Sequence, residues 1–329
     1  MDHMPTQTAA TKNGSRFITP SFAYGGLTLV WLFIVLLSVT ANNTSLATKY
    51  KLSTTQLHML QLAVSIPGLV IWATILFAAL NIRRYAHTIA GSKEGPGFRF
   101  IANSLFALLM GLVTNSFLGG LKQIVVQHAT DPQTVETTFV VMNNYVSVVA
   151  ALASYGLLLH GSKLLLRSIG KQLDLAKKLL PVGVAFVALT TAYLWLIHGN
   201  PARQMSSDPV INTTFGLPYW LIVFTVALPF VIAWLVGVLA LMGVYQYRAE
   251  ASGIIYKLLF RKLVVGMTLF IGLTIGLQLF IQLYSLYATR SLSSLLGIVA
   301  VVYLILAYGF ILIAQGAQRL NKIETLLIE

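Results

Sequence analysis

The sequence predicts an all-α integral membrane protein: eight transmembrane helices arranged as two parallel four-helix repeats, with both termini cytoplasmic. Three observations predict it. Apolar residues make up 57% of the chain and charged residues only 9%, against roughly 25% charged residues in a soluble domain. The 329 residues hold eight apolar segments, each near the roughly 20 residues that cross a bilayer at 1.5 Å per residue. Finally, a proline-bearing stretch, Ser65–Trp72 (SIPGLVIW), returns in altered form as Ala227–Trp234 (ALPFVIAW), with the tryptophan five residues after the proline in both.

Residues 1–20 are polar, lack apolar periodicity and read as a disordered tail. The first repeat, 21–162, carries spans at Phe22–Ala41, Met59–Leu80, Phe100–Leu121 and Phe139–His160. The small residues Val39-Thr40-Ala41 leave open a second reading of Phe22–Ala41, as a cleaved signal peptide. Its length exceeds the usual 7–15 residues of such an apolar core, which favours a retained span. Residues 163–178, KLLLRSIGKQLDLAKK, read as a cytoplasmic helical connector, with Asp174 set three residues after Lys171 and four before Lys178. The second repeat, 179–318, carries spans at Leu180–Ile197, Pro218–Val244, Leu263–Leu283 and Leu292–Ala314, and 319–329 is a C-terminal tail. No Lys, Arg, Asp or Glu falls inside a span. The runs are continuously apolar rather than alternating, which indicates helices and not barrel strands.

Orientation follows from the basic residues. With the amino terminus inside, seventeen Lys and Arg residues fall on the inner side and five (Lys49, Lys51, Lys122, Arg203, Arg290) on the outer. Short loops obey this bias. Four spans per half is an even number, so both halves point the same way, related by a pseudo-twofold axis along the membrane normal. Pro67 and Pro229 mark the second span of each half; Tyr155-Gly156 and Tyr308-Gly309 mark the fourth.

Composition excludes several function classes. The net charge of +13 is gathered between apolar runs, without the aromatic interleaving that tracks a nucleic-acid backbone. Its role is topological, and at the cytoplasmic loops it suits anionic lipid. The chain has no cysteine, hence no disulfide and no thiolate site. The histidines are scattered and show no metal- or haem-ligand spacing, so no metal and no cofactor is expected. No nucleotide loop, no GxSxG elbow and no acid or base within the spans is present, so the expectation is a protein that is not an enzyme.

The residues left to carry function are kinks and uncharged polar groups. A proline within a span removes one helical hydrogen bond and crowds the preceding turn, so Pro67, with Gly68 beside it, and Pro229 are expected kinks or hinges. Amide and hydroxyl side chains in hydrocarbon must face a partner, the bundle interior or a cavity. Ser65, Asn115, Gln278 and Gln282 are the expected lining of a cavity or path, the competing reading being interhelical glue. Tyr245 and Tyr247 are expected at the inner headgroup level, where amphipathic rings collect. Together these features predict passive or facilitated transport of a neutral or amphipathic solute across a membrane, in a bacterial inner or plasma membrane. The alternative is a non-transporting scaffold or a subunit that binds a partner or lipid; a homo-oligomer or a membrane partner fits either.

Overall fold

The computed structural model describes residues 20–40, 53–173, 183–184, 228–251, 257, 260–272 and 292–328. Six helices are long and apolar enough to cross a membrane: α1 (Pro20–Thr40), α2 (Thr54–Thr88), α3 (Gly95–His128), α4 (Pro132–Ser168), α5 (Leu228–Glu250) and α6 (Leu292–Ile328). Residues 260–272 are helical too. The chain is an all-α multi-pass membrane protein. The expected span Leu180–Ile197 lies almost wholly outside the described residues, as does the outer part of Leu263–Leu283 with Gln278 and Gln282.

The helices outrun the apolar segments. Helix α2 has 35 residues, about 52 Å at 1.5 Å per residue, whereas a bilayer with its headgroups is roughly 40–45 Å thick. The surplus is built for water. Ser53 caps α2 by accepting from Gln56 N at 3.3 Å, while Gln56 Oε1 accepts from Ser53 N at 2.9 Å. This reciprocal box satisfies two donors that a helix start otherwise leaves bare. Asp131 caps α4 by accepting from Thr134 N, with Pro132 opening the first turn, where its missing N–H costs nothing.

Helix α4 ends at Ser168, inside the expected 163–178 connector, whose residues 174–178 lie outside the described residues. Gly170 takes φ +73°, Gly170 N donates to Arg167 O at 3.0 Å, and Lys171 N donates to Leu166 O at 2.9 Å. This is a glycine-closed helix terminus, in which the left-handed residue turns the chain back over the last carbonyls. The lone glycine of the connector decided the stop, against the helix-forming residues around it.

Helices α3 and α4 form an antiparallel hairpin, α2 packs along α3, and α1 rests against α2 and α3. Helix α5 lies along α4, and α6 lies along α2. Close approach depends on missing side chains. A Cβ on Gly161 would stand 2.8 Å from Gly97 O, and a Cβ on Gly97 would stand 2.8 Å from the Leu165 side chain. A Cβ on Gly111 would overlap that of Ala150. In hydrocarbon, where apolar burial gives little drive, such backbone approach is a main source of helix association.

Among the described residues, a fully buried core lies at one end. Ile82, Tyr85, Phe98, Ile101, Leu165, Phe260, Leu263, Ile313 and Ala317 are all fully buried there, beside Arg83, Arg99, Arg167, Arg248, Arg261 and Arg319. Apolar side chains left on the outside include Phe22, Leu29, Phe33 and Leu36 of α1 and Leu304 of α6, a surface suited to lipid contact.

Candidate functional site

At the basic end, four rings run in a chain from α2 to α5. Tyr85 and Phe98 meet edge to face at 4.8 Å, Phe98 and Phe260 at 6.1 Å, and Phe260 and Tyr247 at 5.4 Å. All four are 0% exposed. The spacings and angles fall in the favoured edge-to-face range. The chain is palindromic in kind: tyrosine, phenylalanine, phenylalanine, tyrosine. Tyr85 and Tyr247 are separated in sequence by the same interval as Phe98 and Phe260, and that interval also separates Pro67 from Pro229 and Trp72 from Trp234.

Other contacts pair similar positions, with a shorter interval in the last helix. The Phe100 ring meets His160 at 4.4 Å; Lys262, one full interval after Phe100, donates from Nζ to Gln315 Oε1 at 2.8 Å, although Gln315 follows His160 by a shorter interval. The open face of Gly161 lies against Ile101, and that of Gly316 lies against Leu263. At the rim of this end, Lys171 Nζ stands 3.4 Å from Glu250 Oε2, and Thr88 Oγ1 donates to Asn321 Oδ1 at 2.6 Å. Each pair joins elements far apart in sequence, so contacts tie the basic end together both at its centre and at its edge.

Two expectations about aromatic residues are corrected. Tyr247 is fully buried in the protein rather than facing the membrane surface, while Tyr245 is exposed and its hydroxyl lies 3.2 Å from Thr268 Oγ1. Tyr155-Gly156 and Tyr308-Gly309 also fail to occupy matching surroundings. Tyr155 is buried, packed on Gly237 and 5.8 Å from Phe270, whereas Tyr308 is 56% exposed. The environment of Tyr155 is matched instead by Phe310, which lies 5.2 Å from Phe270. A two-residue shift in register separated the apparent landmark from the structural one.

A contact from α1 reaches the proline turn of α2. Helix α2 runs unbroken through Pro67. In the turn where proline leaves one helical bond unmade, the Ser65 carbonyl accepts from Trp31 Nε1 at 3.1 Å. Thus α1 docks on the proline turn through its indole, and Ser65, half-buried, contributes its backbone there. No atom lies within 4 Å of a Cβ placed on Gly68. Pro229 sits in the first turn of α5 as described.

Five polar side chains among the described residues of the spans bond to their own helix. Thr74, Asn81, Ser104, Ser162 and Thr268 each donate to a carbonyl three or four residues back on their own helix. Asn115 is different. Its amide nitrogen donates across to Ser147 Oγ on α4, and its amide oxygen is buried without a hydrogen-bond partner, as are Asn143 Oδ1 and Ser154 Oγ. Ser147, Asn143 and Ser154 were not picked out by sequence. Their four- and seven-residue spacing along α4, facing Asn115 of an antiparallel neighbour, was the signal available.

Among the described residues, no cluster of three or more His, Cys, Asp or Glu side chains could hold a metal ion. No protein-family model, curated protein or solved structure matches the chain.

Proposed function

We propose that the chain is a duplicated transport protein: two parallel four-helix halves, amino and carboxyl termini cytoplasmic, that let a neutral or amphipathic solute pass between them without chemical change. The observation that carries this reading is the buried chain Tyr85–Phe98–Phe260–Tyr247. It crosses from one half to the other, and a twofold axis between Phe98 and Phe260 exchanges its ends. The helix pairings support the same axis, because α6 lies on α2 as α5 lies on α4; the second helix of each half embraces the fourth of the other. In this reading the rings close the cytoplasmic end of a path along the axis, with Pro67, Gly68 and Pro229 at the opposite side of the membrane-crossing helices as hinges. Ser65, Asn115, Gln278 and Gln282 line the route. The basic end, facing the cytoplasm, contacts anionic lipid of a bacterial inner or plasma membrane.

The absence of carboxylates within the spans favours passive movement over an Asp or Glu proton relay. The test is flux. Protein reconstituted in vesicles is challenged with glycerol, urea and a short-chain alcohol, and shrinkage and recovery are followed by light scattering. Faster recovery than in protein-free vesicles, faster still for Phe98→Ala with Phe260→Ala, is the expected result. Unchanged permeability to all three solutes, with folded protein and in both forms, refutes transport. A second reading, a membrane scaffold that binds a partner or lipid, is favoured by the Gly111–Ala150 approach and the Asn115–Ser147 bond, which make the α3–α4 seam a rigid packing surface.

A further inference from the structure

The α3–α4 seam holds unmet hydrogen-bonding capacity at one level, with room beside it. The register of the hairpin follows from its contacts: Gly97 opposes Leu165, Ile101 opposes Gly161, Gly111 opposes Ala150 and Asn115 opposes Ser147. In an antiparallel pair, each step outward on one helix is a step backward in number on the other. One turn beyond Asn115 and Ser147, the register therefore sets Gly119 opposite Asn143. At Gly111 and Ala150 the backbones are too close for a single added carbon; at Gly119 a Cβ would meet nothing within 4 Å. The seam is shut at Gly111, and open space lies beside Gly119 at the level of Asn143. Ser154 lies inward of the closure and is cut off from the opening by it.

The buried oxygens of Asn115 and Asn143 have no hydrogen-bond partner among the described residues. Turning the Asn115 amide over does not remove the vacancy: Ser147 would then donate to the oxygen, and the NH2 group would be the part left bare. Buried groups of this kind are met by a partner in the great majority of native structures. Thr74, Asn81, Ser104, Ser162 and Thr268 satisfy themselves by back-bonding, whereas the Asn115 and Asn143 oxygens at this seam do not.

We propose that Asn115, Ser147 and Asn143, with Gly119 as the open wall, bind a small uncharged molecule through its hydroxyl or primary amide group. Such a group both donates and accepts, so it completes either orientation of Asn115 and reaches Asn143 one helical turn away. An ion is disfavoured, because two amide oxygens and a hydroxyl do not offset the loss of its hydration in hydrocarbon. The proposal rests on the transport reading and gives the cargo a chemical class.

The chain has no cysteine, so a single Gly119→Cys substitution in the full-length, vesicle-reconstituted protein reports on this site alone. Its labelling rate by a membrane-impermeant thiosulfonate is measured with and without glycerol, urea or acetamide, with sucrose as the osmotic control. At about twice its dissociation constant, a bound probe slows labelling about threefold, the factor 1 + [L]/Kd for a competing occupant. That slowing is expected for at least one probe, and its loss is expected on adding Asn143→Ala. Asn115→Leu serves as a second variant, with circular dichroism confirming that each protein is folded. Labelling that no probe slows overturns the proposal, as does equal slowing in the folded Asn143→Ala and Asn115→Leu proteins. Flux is read on the same vesicles. Solute flux without protection fails the site and leaves the transport reading standing; protection without flux upholds the site and fails transport.

Discussion

Removing one phenylalanine from the ring chain tests the proposed pairing of two halves most directly. Phe98 and Phe260 are both fully buried, and Phe→Ala at such a position costs about 3–5 kcal/mol. Each ring has two aromatic neighbours: Tyr85 and Phe260 for Phe98, Phe98 and Tyr247 for Phe260. Equivalent surroundings predict equivalent losses, within about 1 kcal/mol of each other. The pair they share, at 6.1 Å between centroids, is worth about 0.5–1 kcal/mol, the lower part of the range for aromatic contacts. Both single variants lose that contact and the double variant loses it once, so the double loss falls short of the sum by that amount. Equilibrium unfolding of purified protein in mixed micelles, followed by tryptophan fluorescence, supplies the four values. Phe98→Leu and Phe260→Leu repeat the cycle at lower cost where alanine proves too disruptive. Additivity within about 0.3 kcal/mol would refute the ring contact, and single losses differing by more than about 2 kcal/mol would refute the equivalence of the halves.

Two further outcomes follow from the packing. Gly111→Ala should destabilise the protein by about 1–3 kcal/mol, since its methyl group overlaps Ala150; Gly119→Ala, in open space, should stabilise it by up to about 1 kcal/mol through helix propensity. Thermal unfolding of the two variants in one detergent gives opposite signs, and equal shifts would refute the seam geometry. Trp31→Phe keeps the ring but removes the 3.1 Å bond to the Ser65 carbonyl, at a cost of about 0.6–1.7 kcal/mol. Faster proteolysis of the α1 segment is its readout, and an unchanged rate would show that α1 is held by apolar contact alone.

The described α-helices were legible because continuous apolar runs in water-excluding surroundings leave the backbone no partner but itself. Their ends were less so, since Ser53-Thr54-Thr55-Gln56 and Asp131-Pro132 begin helices in polar sequence, where capping chemistry and not hydropathy marks the start. Asn115 was singled out from its chemistry alone, but its partner Ser147 required the register of the α3–α4 hairpin. The ring chain was written in the sequence at the interval that relates Pro67 to Pro229. It went unread because Tyr247 and Phe98 sit beside basic residues, where aromatic side chains more often face the membrane surface.

Composition and patterning alone thus determined that this chain is helical and crosses the membrane several times, because each property is a sum over many residues. Tertiary structure decided what depends on single contacts. Gly170 ends α4 where neighbouring residues favour helix, Gly111 brings two backbones together, Tyr155 is buried while Tyr308 is exposed, and two asparagine oxygens are left in need of a partner. Each depends on which side chain stands opposite, and that is set by helix register across the bundle rather than by local sequence.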